Sequence, residues 1–361
     1  MSDAVLRAVS DLLGETVRDP AALSYEGARC LVTRLTRPDG STVVAKSWPA
    51  PRGPIVRERV VLEALAATAA ADLVPRVVAA DADGSLLVTT DLLFAPEERL
   101  GEILEGDDRE RAEDALLAHA RALGRVHAAT RGATALALAQ RLSDARPFDE
   151  SRHVVHDLDA HLAHLPERLR EAGAGDDARG LDDEIRAARE LLAHPGAHIA
   201  VAHGDATPAN CCVRGGTALL YDWETAAARH ALVDGSYARL RYVQSVWAHE
   251  IPAHVRWRAA RAYRAELPWP DGELDPGETA AGAAWCAGLL AALPRLSGND
   301  VRWGRTTMRQ RVATAVERLA ELCDETGCMP LTGAAARAAH AGLCRAWPAE
   351  HTALPVHRAW R

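Results

Sequence analysis

Hydrophobic and polar positions along this chain change their period several times, and each change marks an element. Residues 29–48, RCLVTRLTRPDGSTVVAKSW, hold two apolar-rich runs joined by Pro38-Asp39-Gly40, which predicts a hairpin. The stretch 56–73, VRERVVLEALAATAAADL, has helical periodicity and good helix formers. Residues 74–92, VPRVVAADADGSLLVTTDL, predict two short strands around Asp83-Gly84. The first quarter is therefore expected to be a small sheet with one helix packed on it.

From about 97 onward the pattern turns helical. One helical run covers 108–129, and two more lie within 155–193, broken near Gly173-Ala174-Gly175. Strands return between 198 and 224 as HIAVAHGD, NCCV and LLYDWE, with a turn at Gly215-Gly216. The remainder is mostly helical, with an irregular tail after Pro348. These patterns predict an α+β chain of two lobes divided near 91–96: a β-rich lobe over 1–92, and a helical lobe over 93–361 containing one small hairpin.

Composition narrows the function classes. The 361 residues are 48% hydrophobic and 25% charged, ordinary for a globular chain with a sizeable core. A net charge of -8 argues against a duplex nucleic-acid binder. The seven cysteines form no CxxC pair, which fits buried thiols in a reducing compartment. The N-terminal segment is acidic and amphipathic, unlike a signal peptide, and no run of eighteen apolar residues occurs. A cytoplasmic protein without membrane spans is expected.

Candidate chemistry begins with Lys46, since every other basic side chain among the 42 lysines and arginines is an arginine. A lysine retained against that trend points to a compact ammonium placed between anionic oxygens. On an apolar strand such a charge needs a partner. Glu58 is the expected one, because Glu58, Leu62 and Leu65 share the core-facing stripe of the predicted helix. A solvent pair with Arg57 or Arg59 is the alternative. Further on, VAHGDATPAN (201–210) carries His203, Asp205 and Asn210, one of only two asparagines in the chain. Asp222 follows at the end of the next strand. An amide oxygen and a carboxylate joined by a hairpin are hard ligands suited to Mg²⁺. Asp205, just upstream, is placed to accept a proton.

HGDATPAN and YDWE resemble the HxDxxxxN and DxE motifs of the aminoglycoside phosphotransferase and choline kinase group, relatives of the protein kinases. The resemblance spans about residues 20–240 and includes RHALVDGSYARL, with Asp234 as a buried acid. It implies a two-lobed protein-kinase-like fold and transfer of phosphate from ATP or GTP to a hydroxyl of a small molecule, with Mg²⁺. It further implies Asp205 as catalytic base, Asn210 and Asp222 as metal ligands, and Lys46, paired to Glu58, on the nucleotide phosphates. His203 would brace the loop, and Glu224 would be a supporting acid or a metal contact. Val44 would cover the adenine, and Thr90, Asp91 and Leu92 would form the lobe connection. In SYEGARCLV, Gly27 is the one glycine before the strand, where protein kinases have several. The implied acceptor is an antibiotic or a related sugar- or nucleoside-bearing product. A metabolite such as an amino sugar or choline, and a nucleotide-binding regulator without turnover, are the other readings.

Other signals admit plain explanations. His153, His156, His161 and His164 fit a solvated helix face better than a metal site. Cys211 and Cys212 fit buried thiols on opposite faces of a strand. Trp247, Trp257, Trp269, Trp285 and Trp303 fit helix packing, or aromatic faces for an acceptor. The acidic segment 97–114 fits a solvated face, or an attraction for an amine-bearing acceptor.

Overall fold

The computed structural model describes residues 3–23, 30–48, 54–92, 95, 98–145, 154–296, 298 and 300–361. Helix α1 (Asp3–Leu13) leads into strands β1 (Arg18–Ala22), β2 (Leu31–Thr36) and β3 (Thr42–Ser47), then α2 (Pro54–Leu65), β4 (Val77–Ala80) and β5 (Leu86–Thr90). The five strands form one antiparallel sheet in the order β1-β2-β3-β5-β4. Alternation along β3 sorts its side chains. Val43 and Ala45 join Leu35, Val88 and Val9 of α1 in a core on one face, so Val44 and Lys46 point to the other. α2 buries Val61, Leu62 and Leu65 completely, with Glu58 beside them.

The helical part comprises α3 (Leu100–Leu104), α4 (Arg109–Thr130), α5 (Ala133–Ala145), α6 (Leu158–Ala163), α7 (Leu165–Leu169) and α8 (Asp182–Ala193). Strands β6 (Ile199–Ala202), β7 (Cys211–Arg214), β8 (Thr217–Leu220) and β9 (Ala227–His230) follow, then α9 (Leu232–Gly235), α10 (Ala253–Arg264) and α11 (Asp271–Leu290). Strands β10 (Arg302–Trp303) and β11 (Thr306–Thr307) precede α12 (Met308–Thr326) and α13 (Pro330–Ala346). β7 pairs with β8, and β6 pairs with β9. The loop from β6 to β7 and the turn from β8 to β9 therefore emerge side by side. Among the described residues, no helix is long and apolar enough to cross a membrane.

Several elements differ from the sequence expectations. The helix expected over 56–73 ends at Leu65, where the Thr68 hydroxyl donates to the Leu65 carbonyl at 2.8 Å and accepts from Ala70 N–H. β1 is fully exposed along its length, so no alternation announces it. Beyond the hairpin β7-β8, β9 and the β10-β11 pair add strands to the helical lobe. The tryptophans split. Trp285 is fully buried and donates to the Val233 carbonyl at 2.9 Å, while Trp257 and Trp303 are 44% and 47% exposed. Arg239 and Arg311 lie over those two exposed rings at 4.5 and 4.4 Å. Of the four histidines, His153 lies outside the described residues and His164 is exposed. Nδ1 of His161 faces the Arg168 guanidinium at 3.2 Å, a cation where a metal would have to be.

Two glycines of α11 separate backbone propensity from packing. A Cβ on Gly277 would meet the His230 ring at 2.2 Å, whereas one on Gly272 would meet nothing within 4 Å. Gly277→Ala gains about 1 kcal/mol of helix propensity but loses about 1–3 kcal/mol to overpacking. We predict a net lower midpoint in urea unfolding for Gly277→Ala and an unchanged or higher one for Gly272→Ala; equal shifts would contradict the packing account.

Candidate active site

The loop leaving β6 is tied down by one buried carboxylate. Asp234, fully buried in α9, accepts the backbone N–H groups of His203 at 2.5 Å and Gly204 at 2.9 Å. His127 of α4 lies 3.3 Å from the same carboxylate and meets Tyr263 through its other ring nitrogen. Burial pushes the Asp234 carboxyl up, but its contacts with His127, His203 and Gly204 outweigh that and hold it below the usual range. Gly204 has φ +80°, and a Cβ there would strike the Thr225 carbonyl at 2.8 Å, so this position requires glycine.

His203 has both ring nitrogens engaged. Nε2 faces the Tyr221 carbonyl at 2.9 Å and so carries the proton, while Nδ1 accepts the Asp205 N–H at 3.3 Å. Its ring packs against Trp223 at 4.4 Å. The ring is thus held between Tyr221 and Asp205. Thr225 donates to the His203 carbonyl at 2.8 Å, and the Tyr237 hydroxyl donates to that of Gly204 at 2.7 Å.

At the loop's end Asn210 Nδ2 donates to the Asp205 carbonyl at 2.9 Å and to Asp205 Oδ2 at 2.8 Å. Both amide protons are thus spent on Asp205, leaving the amide oxygen as the acceptor end. Asp222 caps the β8–β9 turn with φ 68° and ψ 58°, a left-handed conformation that Asp tolerates better than most residues.

The sheet supplies the opposite wall. Lys46 Nζ lies 2.6 Å from Glu58 Oε2 and donates to Asp222 Oδ1, so the expected strand–helix pair is joined by the acid of the DWE turn. The other Glu58 oxygen accepts the Trp223 N–H at 3.3 Å. Burial works against the Lys46 charge, but the fields of Asp222 and Glu58 outweigh it and raise the ammonium well above its ordinary value. Glu58 is raised by its burial and by Asp222. Glu224, half-buried nearby, is raised to about 8, first by the charge of Asp222 and then by burial. Glu58 and Asp222 both reach the Lys46 ammonium, and Glu224 lies close enough to feel the Asp222 charge.

The remaining sequence candidates are placed as follows. Val44 is half-buried on the Lys46 face of β3, paired in register with Thr89. Thr90 Oγ1 accepts the Arg76 N–H at 2.9 Å. The Asp91 carboxylate binds Arg34 at 2.6 Å and accepts from Thr42 at 2.8 Å, so both side chains close the end of the sheet. The Leu92 carbonyl accepts from Arg214 Nη2 at 2.7 Å. Gly27 lies outside the described residues. Sequence reasoning did not single out His127, Tyr237, Tyr263 or Arg214; the one available signal was a histidine inside the apolar run RVHAAT.

A strand lysine held by a helix glutamate, facing an Asp/Asn loop and a turn aspartate between two lobes, defines a phosphotransferase of protein-kinase-like fold. The model of the phosphotransferase enzyme family matches residues 26–272, and the chain belongs to that family of small-molecule kinases. Solved structures share the fold at low identity. A fructosamine-3-kinase homologue from Thermobifida fusca superposes with TM-score 0.52 at 20% identity, covering 88% of this chain and 99% of its own. An aminoglycoside phosphotransferase from Alicyclobacillus acidocaldarius gives 0.52 at 13%, covering 96% of both chains. An ethanolamine kinase from Plasmodium vivax gives 0.51 at 12%, covering 89% and 86%. No curated protein matches the chain significantly.

The raised Glu224 yields a pH signature. Between the ordinary carboxyl value of 4.5 and about 8, the folded chain keeps a proton that the unfolded chain has released, so stability from this group falls as pH rises through that window. Glu224→Gln is expected to flatten the slope of melting temperature against pH between 5 and 8 and to raise the melting temperature at pH 8. Identical slopes in variant and wild type would contradict the charge-crowding account.

Proposed function

We propose that the chain transfers the γ-phosphoryl group of Mg²⁺–ATP to a hydroxyl of a small molecule, and that its acceptor is an antibiotic or a related sugar- or nucleoside-bearing natural product. The observation carrying the transfer reading is the Lys46 ammonium held between Glu58 and Asp222, opposite the Asp205–Asn210 pair. Asp222 and the Asn210 amide oxygen would hold the metal, since a carboxylate and an amide oxygen are hard ligands suited to Mg²⁺. Bound Mg²⁺–ATP supplies the phosphoryl group and a counter-charge for its oxygens.

The chain's own residues bind, orient and move one proton. Lys46 stays protonated and presents a point charge to phosphate oxygens, with Glu58 fixing its direction. Val44 offers apolar cover to the base. Asp205 orients the acceptor hydroxyl and takes its proton, and Asn210 holds the Asp205 carboxylate in place. The acidic run 97–114 is largely committed elsewhere: Glu105 is buried, Asp107 pairs with Arg358, Asp108 caps α4, and Glu113 pairs with Arg109 and Arg258. The proposed acceptor class therefore draws on the family resemblance, not on that run. The similar solved structures are a fructosamine-3-kinase homologue, an aminoglycoside phosphotransferase and an ethanolamine kinase, so amine-bearing alcohols are the first compounds to test.

Two measurements test this reading. Asp205→Asn should reduce kcat by about 10²–10⁴-fold while leaving the melting temperature near that of the wild type, and Lys46→Arg should also lose transfer because a planar fork cannot replace the point contact. Full activity in either variant would sink the assignment of that residue. A panel of antibiotics, amino sugars and amino alcohols, scored by the mass gain of one phosphate, should give phosphorylated products confined to the antibiotic-type compounds. Turnover only on amino sugars or choline-like alcohols would make this a metabolite kinase instead.

A further inference from the structure

We propose that Glu105, His249 and His357 form a binding site for one zinc ion that clasps the C-terminal tail to the helical lobe. The three residues come from distant parts of the chain: Glu105 follows α3, His249 lies in the irregular segment before α10, and His357 sits on the tail after α13. One ligand atom from each lies within 4.8 Å of the other two, and all three residues are buried. Nδ1 of His357 is 2.9 Å from Glu105 Oε1, and Nε2 of His249 is 3.6 Å from the same oxygen. These separations bracket the edge of about 3.3 Å that follows from a tetrahedron with zinc–ligand bonds of about 2.0–2.1 Å.

An independent observation points to a ligand. His249 is fully buried, and its Nε2 has no hydrogen-bond partner although it is aimed at Glu105; Nε2 of His357 is likewise unpartnered. Buried imidazole nitrogens without partners are costly, and a coordinated ion satisfies the one aimed into the cluster. The rings stack at 4.4 Å with 26° between their planes, so His249 and His357 sit against one another beside Glu105. Two imidazoles and a carboxylate without sulfur suit Zn²⁺, with the fourth position left to water. Arg305 donates to the other oxygen of Glu105, so the carboxylate would bridge ion and guanidinium, an outer contact that orients the ligand. On binding, the proton shared by His357 Nδ1 and Glu105 is released to solvent.

The consequence is mechanical. The tail already meets the lobe through Glu250 N–H to the Pro355 carbonyl at 2.8 Å and through Arg358 to Asp107 at 2.6 Å. An ion at Glu105, His249 and His357 would lock that docking.

The test uses the full chain, stripped with chelator, re-equilibrated with Zn²⁺ in excess Mg²⁺, and desalted before metal analysis. One equivalent of zinc should remain in the wild type and in Asp222→Asn. His357→Gln and His249→Gln should lose affinity by at least about 100-fold, the upper end of what outer contacts alone contribute, and His357→Cys should restore it. Zinc should also slow proteolysis of the tail in the wild type but not in His357→Gln, with melting curves showing both variants folded. Zinc lost in Asp222→Asn but kept in His357→Gln would assign the ion to the phosphoryl-transfer site and overturn the proposal. Retention in every variant, or less than stoichiometric zinc in the wild type, would overturn it too.

Discussion

Everything in the cleft turns on one ammonium group shared among carboxylates. Lys46 reaches Glu58 on the helix of its own lobe and Asp222 on a turn of the other. Glu58 meets the backbone of Trp223, and Glu224 stands close enough for its proton affinity to respond. Buried charges persist only when paired, so this network binds strand, helix and turn into one arrangement.

A second constraint sits beneath the first. Asp234 holds two consecutive N–H groups at the start of the Asp205 loop, while His127 of α4 meets its carboxylate and Tyr263 of α10 holds the other nitrogen of that ring. The position of Asp205 is thus set by main-chain atoms clamped by a core carboxylate, not by the loop's own preferences.

How much of this was legible in the sequence depended on how tightly chemistry restricts the residue. Lys46 stood out against an arginine background, and Asp205, Asn210 and Asp222 combined one rare residue type, asparagine, with a fixed order. Glu58 followed from helical periodicity, since a carboxylate in a buried stripe must have a partner. The hairpin β2–β3 declared itself through its turn. Strand β1 did not, because an exposed edge strand containing Pro20 carries no alternation. The clamp around Asp234 was invisible for another reason. Histidine and tyrosine within apolar runs look like ordinary core, and only the fold brings His127 within reach of a residue more than a hundred positions later. The fate of the acidic run was hidden in the same way, since Asp107 and Glu105 find partners near the C-terminal end.

The solitary lysine has a consequence outside the cleft. With no ε-amine on its surface and its single one 9% exposed in a salt-bridged network, the chain is closed to the covalent chemistry that targets lysine. Acylation, glycation of side-chain amines and isopeptide tagging all lack a surface foothold. The one ε-amine such reagents could reach is bound to Glu58 and Asp222, so modification at lysine would break the contact between sheet and turn.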